Sequence, residues 1–185
     1  MRRLLPIPLV LVFLTGCFRD NEDLDRAMAL RADLLCHGCS FVSEITADYG
    51  EEVYSFTVRC EGDSKGNLGF EVLSPETIAG IQGVTANDTG KLTFSDTVLD
   101  FPLMAEEQVT PVSGPYLLLK TLRGGYVRSV GQEDDLLRVT IDDSYEEDAL
   151  QLDIWLNEKT LPVRGEILYD GRRIITMVIR DFRIV

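Results

Sequence analysis

The sequence predicts an α+β, mainly β domain: a large curved antiparallel sheet, a half-barrel, covered by an N-terminal helix and a central helix. Three observations predict it. Alternating and β-branched runs recur from Cys39 to Arg183; only Leu24 to Leu35 and Pro115 to Leu122 carry helical spacing or punctuation; and Asp170-Gly171, between two alternating runs, is the strongest hairpin signal in the chain.

The first helix rests on Leu24, Ala27, Met28, Leu34 and Leu35 at near-helical spacing, with the polar stretch Phe18 to Asp23 before it read as a tether. Two strands follow, Cys39 to Asp48 and Glu52 to Cys60, about a turn at Tyr49-Gly50-Glu51. Gly66 to Leu73, Lys91 to Ser95 and Thr97 to Phe101 are further strands. Ser74-Pro75-Glu76 opens a short irregular piece, and Gly83 to Gly90 reads as a polar connection. The central helix has Pro115 near its first turn and Gly124-Gly125 as its stop, with Leu117, Leu118 and Leu122 as its apolar contact and a mixed face of Tyr116, Leu119, Lys120 and Arg123. Leu136 to Asp142, Leu150 to Asn157, Leu161 to Tyr169 and Ile174 to Arg183 complete the sheet.

Met1 to Cys17 reads MRRLLPIPLVLVFLTGC. Arg2 and Arg3 precede a short apolar core, and Leu14-Thr15-Gly16-Cys17 ends it as a lipoprotein box. The apolar run is too short for a stable span. Residues 1–16 are therefore expected to be a signal peptide and 17–23 a lipidated N-terminus and tether, leaving 24–185 as one domain. Cys17 is the expected site of diacylglyceryl attachment; fatty acyl chains such as palmitate would then hold a non-spanning protein on the extracytoplasmic side of the cell or outer membrane.

Removing residues 1–16 takes away two of the 18 basic residues and none of the 31 acidic ones, which leaves a net charge of about −15. So acidic a surface disfavours nucleic acid and anionic headgroups in general and suits a soluble monomer.

Beyond Cys17 the cysteines are Cys36, Cys39 and Cys60. Pairing the first two strands about the predicted turn sets Cys39 opposite Cys60, Phe41 opposite Val58 and Ile45 opposite Tyr54. In an oxidising compartment this predicts a Cys39 to Cys60 cross-strand disulfide, worth about 3 kcal/mol for a loop of about 20 residues. Cys36 is left over.

Catalytic signals are weak. Cys36-His37-Gly38-Cys39 lacks both the βαβ context of a redox motif and the CxxCH of haem attachment, and its adjacent Cys36 and His37 suit zinc poorly. His37 is the single histidine, and no G-x-S-x-G elbow occurs. Glu133-Asp134-Asp135, Asp142-Asp143 and Glu146-Glu147-Asp148 lack EF-hand spacing and read as solvated hairpin connections. The expectation is a protein without metal, cofactor or enzymatic activity.

The lipoprotein box, the leading helix, the hairpin Phe41 to Cys60, and the ending from Leu161-Pro162-Val163-Arg164 through the Asp170-Gly171 turn to Ile184 together resemble the LolA/LolB-like lipoprotein carrier superfamily, with its LppX-type and RseB-like relatives. The resemblance implies an incomplete antiparallel barrel closed by helices, binding acyl chains, lipoproteins or another hydrophobic ligand. Independently, a curved sheet with one apolar face can enclose a cavity. Phe41, Ile45, Tyr54, Phe56, Val58 and Phe70 are its candidate lining in the first half of the chain, and Phe94, Leu99, Phe101, Trp155 and Ile167 in the second. The alternative expectation is a tethered protein-interaction or envelope-sensing module with a packed core, which binds an envelope partner through its surface.

Overall fold

The computed structural model describes residues 17–94, 97–105, 108–146 and 149–185; the expected signal peptide, residues 1–16, lies outside them. The chain opens with helix α1 (Cys17–Cys36). Phe18 to Asp23 is thus helical rather than a tether: it has no apolar period to advertise a helix, but also no Pro or Gly to stop one. Asp23 is buried and accepts two hydrogen bonds from Gln132 Nε2, at 3.0 and 3.1 Å. Ala27, Leu30 and Leu34 continue this buried face, whereas Leu24, Met28 and Leu35 remain exposed on a second stripe.

Strands β1 (Cys39–Asp48), β2 (Val53–Gly62), β3 (Leu68–Ser74), β4 (Gln82–Ala86), β5 (Thr89–Phe94) and β6 (Thr97–Pro102) form one half of the sheet. A small ribbon, β7 (Met104–Ala105) with β8 (Gln108–Val109), and a 3-10 turn at Pro111–Ser113 lead into α2 (Gly114–Gly124). The other half is β9 (Tyr126–Glu133), β10 (Leu136–Asp142), β11 (Gln151–Leu156), β12 (Pro162–Tyr169) and β13 (Arg172–Ile184). All eleven long strands join one open antiparallel sheet in the order β6-β5-β4-β3-β2-β1-β13-β12-β11-β10-β9. The half-barrel fold class read from the sequence is the one observed.

Two strands escape the sequence pattern. β4 is five residues inside what reads as a polar connection, and β9 is mostly exposed and carries no clear alternation. Both are placed by tight turns: Asn87-Asp88 and Asp134-Asp135 each have two consecutive positive φ angles, as Asp170-Gly171 does. This is the two-residue geometry whose twist matches that of paired strands, and short Asn and Asp side chains tolerate it.

The β1–β2 connection is longer than expected. Tyr49 to Glu52 spans it, with the Tyr49 N–H donating to the Glu52 carbonyl and Gly50 at φ 92° supplying the left-handed position. Pairing therefore sets Phe41 against Cys60, Ile45 against Phe56 and Cys39 against Gly62. A shift of two residues keeps every side chain on its predicted face but moves Cys39 off Cys60. The predicted disulfide is absent: Cys39 and Cys60 are both free and buried, and Cys36 is free and exposed.

Part of the concave face is covered by α2. From Gly114 to Leu122 every residue but Lys120 is buried, and the face expected to be mixed is so, with Tyr116 and Leu119 buried, Arg123 half-buried and Lys120 exposed. The helix lies over β10, β11 and β12. Gly165 on β12 permits this approach, because a Cβ there would stand 2.6 Å from Leu118 Cδ1. α1 then closes the end of the barrel. Its Arg31 Nε donates to the Leu122 carbonyl at 2.8 Å, satisfying one of the open carbonyls of α2, and Arg26 Nη2 reaches the carbonyls of Asn157 and Glu158 at 3.4 Å.

Leu118 has no exposed surface and packs directly over Gly165. Leu118→Ala is expected to lower stability by about 2–5 kcal/mol, read as a lower urea midpoint with an unchanged slope.

Candidate functional site: the open end of the half-barrel

The helices cover only part of the concave face. Phe41, Ile45, Phe56, Val58, Phe70 and Ile167, expected to line a cavity, are buried among the core side chains. The sheet beyond β3 is differently built. A Cβ on Gly83 would lie 2.3 Å from the Phe70 ring and one on Gly90 would lie 2.0 Å from the Phe101 ring, so both rings lie flat over cross-strand glycines. They make a smooth apolar floor, continued by Leu92.

At the end of that floor apolar side chains are left in water. Leu99 pairs with Leu92 and so shares its face, and Phe94 follows Leu92 by two residues. Phe94 is 52% exposed, Leu99 61% and Met104 37%, whereas Phe101 is half-buried. Phe94 and Leu99 fall on the candidate list. Met104 does not, because Leu103-Met104 after Pro102 has no periodicity to mark it. Leu92 was legible from its alternation with Phe94.

The same end of the barrel carries a tyrosine pair. Tyr54 starts β2 and is 45% exposed; its ring meets that of Tyr49 edge-on at 6.1 Å. The Tyr49 hydroxyl donates to the Val109 carbonyl and so pins the β7–β8 segment across the sheet. Burial, with the neighbouring Tyr54, pushes the Tyr49 phenol up to about 12, so it remains the donor at any physiological pH. The Tyr54 hydroxyl donates to Glu52, which raises its pKa as well. Tyr49, Glu51, Glu52, Tyr54 and Val109 to Pro111 surround an open cleft of about 690 Å³. Its mixed walls and the apolar strip on β5–β6 can hold an apolar group at the surface; they assemble no nucleophile and base.

Trp155 is elsewhere. Alternation along β11 turns Leu152, Ile154 and Leu156 into the core, and Trp155 and Asp153 to the outer face. There the Trp155 ring lies between its cross-strand neighbours Arg138 and Arg164, whose guanidinium carbons stand 5.2 and 4.4 Å from its centroid. The strand's own alternation marks this, since Trp155 shares its parity with the polar Gln151 and Asp153; its apolar ring alone places it among the expected lining. Asp153 is buried and takes bonds from Arg138 Nη2 at 2.7 Å and Thr140 Oγ1 at 2.6 Å; Glu166 is buried beneath Arg164 and Arg173. The Asp153 bond raises the pKa of Arg138 further. Every acceptor here has a cation or hydroxyl, which makes the cluster a staple between strands.

The weaker sequence signals are scattered. His37 Nδ1 is exposed and lies 3.2 Å from the Asp33 carbonyl, one helical turn back. Asp134-Asp135 is a hairpin turn, and Asp143 accepts the Leu150 N–H, its pKa raised by burial. Glu147 and Asp148 lie outside the described residues. Among the described residues no group of three or more His, Cys, Asp or Glu could hold a metal ion, and no helix is long and apolar enough to cross a membrane.

No family model matches the chain, and no curated protein does. Among solved structures it is similar to a putative outer membrane lipoprotein-sorting protein domain from Vibrio parahaemolyticus, at 9% identity and a TM-score of 0.46, over 89% of this chain and 93% of that one. A LolA superfamily protein from Nitrosomonas europaea gives 8% identity and a TM-score of 0.44 over 90% and 93%. Lipoprotein LppX from Mycobacterium tuberculosis gives 11% and 0.42 over 88% and 96%.

The thiols provide a direct check on the register. Burial pushes Cys39 from 9.0 up to about 11 and raises Cys60 as well. Alkylation of the native protein at about pH 8 is expected to modify Cys36 and spare Cys39 and Cys60, while unfolding without a reductant makes both reactive. Above pH 9 the unfolded chain ionises the Cys39 thiol while the folded chain keeps its proton, so the folded state binds more protons. Stability should accordingly fall as pH rises through about 9 to 11, and Cys39→Ala should flatten that fall in urea titrations.

Proposed function

We propose that this protein is a non-enzymatic envelope lipoprotein, held on the extracytoplasmic side of its membrane by a diacylglyceryl group on Cys17, and that it binds an apolar ligand at the open end of its half-barrel. The exposed strip Phe94 and Leu99, continuous with the aromatic floor Phe70 and Phe101, carries this reading. Such a strip costs free energy in water: covering a side chain of this size recovers about 1.5–3 kcal/mol, and monomers seldom leave several together without a use for them. An acyl chain suits it better than a polar metabolite, because the floor has no charged group and its glycines keep it smooth.

The second reading is a protein-interaction module with a packed core, and α2 favours it. Leu118 and its neighbours occupy the centre of the barrel, where a deep acyl cavity would otherwise lie. The two readings share the surface at β5–β6 and differ in what covers it.

Titration with a fluorescent fatty acid tests the ligand. Binding to the native protein is expected, with Leu99→Asp, exposed and harmless to the core, weakening it by about tenfold or more. Wild-type protein that ignores acyl probes yet retains an envelope protein through Leu99 would support the second reading. Intact-mass analysis of the membrane-extracted protein should show a chain that begins at Cys17 with a diacylglyceryl addition, lost in Cys17→Ser.

A further inference from the structure

We propose that the outward shoulder of α1 and the adjoining end of α2 form a membrane-docking face for an anionic lipid surface, which holds the barrel with its open end turned away from the bilayer. The proposal rests on reading Cys17 as the anchored residue. It begins from the continuity of α1: Cys17 is already helical, so the described chain runs from it to the domain as one helix. At 1.5 Å per residue α1 is about 30 Å long, so an anchor at Cys17 keeps the far end of the helix within about 30 Å of the headgroups.

The helix lies along the closed end of the barrel, tied to Gln132 near the end of β9, to the loop after β11, and to the last turn of α2. Its buried face is Asp23, Ala27, Leu30 and Leu34. Leu24, Met28 and Leu35, 38%, 42% and 51% exposed, fall within about 40° of one another around the axis and form one apolar line beside that face. The exposed acids Glu22 and Asp33 lie on the opposite flank, and Asp25 stands about 60–100° round the axis from the line.

The line ends in a cation cluster. Leu35 shares a cleft of about 240 Å³ with Lys65, Lys120 and Arg123. Lys120 pairs with Asp88 at 2.6 Å. Arg123 donates to the neutral carbonyls of Asp63 and Ser64, at 2.9 and 2.5 Å, and Lys65 has no ion pair among the described residues. In a chain of net charge −13 this is a local reversal of sign. An exposed apolar stripe bordered by Lys and Arg is the pattern of an interfacial helix, whose apolar line enters the acyl boundary while the cations meet lipid phosphates. The acidic remainder is repelled by the same surface, which leaves one favoured orientation. Tyr54 and Phe94 stand at the opposite ends of their strands from the turns at Asp63 and Asp88 that carry this cluster, so docking leaves the open end accessible.

The test uses the chain from Cys17 to Val185, which includes every described residue, with Cys36→Ser and a maleimide lipid coupled to Cys17 on vesicles of phosphatidylcholine with about one-quarter phosphatidylglycerol. Hydroxyl-radical oxidation and amine acetylation are read by mass spectrometry. Met28, Lys65 and Lys120 are expected to react about threefold or more slowly than in the untethered chain, with Met104 and Lys91 unchanged as internal controls. In Lys65→Glu/Lys120→Glu the protection of Met28 is lost. Unchanged reactivity of Met28, Lys65 and Lys120 on the vesicle, protection of Met104 and Lys91 in their place, or protection of Met28 that survives the double substitution would each overturn the proposal. Because the tether is synthetic, the result stands apart from whether cells acylate Cys17, which the mass of the extracted protein decides.

Discussion

The contact between α2 and the concave face of the sheet, centred on Leu118 over Gly165, is the constraint from which the rest of the structure follows. An open eleven-stranded sheet has a large apolar face and two free edges, and neither is stable in water alone. Burying a helix almost all round its circumference covers that face from within. It also consumes the volume that a deep cavity would need, and the exposed apolar side chains Phe94 and Leu99 lie on β5 and β6 instead.

That displacement explains the asymmetry of the molecule. Over β10–β12 the concave face meets α2 and is dry; over β4–β6 it meets no comparable helix contact, and cross-strand glycines let Phe70 and Phe101 lie flat instead of standing upright. The outer face solves a different problem. Asp153 and Glu166 are buried there, but each is held by arginines, and the Trp155 ring between two guanidinium groups shields the pairs from water. Removing one partner would leave an uncompensated buried charge, and this favours retention of the whole cluster as a unit.

The two ends of the barrel are chemically opposite. One is closed by α1, with apolar and basic side chains beside it; the other is open, with tyrosines, Phe94 and Leu99 around it. A protein attached to a bilayer by one cysteine gains from such polarity. In the proposed attachment the anchor on Cys17 would supply the strength, and weak contacts at the closed end would set the orientation.

Sequence alone determined what depends on local rules. The lipoprotein box, the fold class, the second helix with its proline and glycine punctuation, the C-terminal strands and the Asp170-Gly171 hairpin are all readable from periodicity and turn chemistry. So is the parity of β1 and β2, which put Phe41, Ile45 and Val58 inward despite a register off by two residues. Tertiary structure decided what depends on neighbours distant in the chain. The four-residue turn that moves Cys39 off Cys60 and the pairing of β4 with β3 follow from which strands lie alongside, and no local pattern specifies that. Above all, a list of apolar residues could not tell lining from packing. Ile45 and Phe94 look alike in sequence, yet Ile45, on the central strand β1, is buried in the core, whereas Phe94, at the end of β5 next to the edge strand, is 52% exposed.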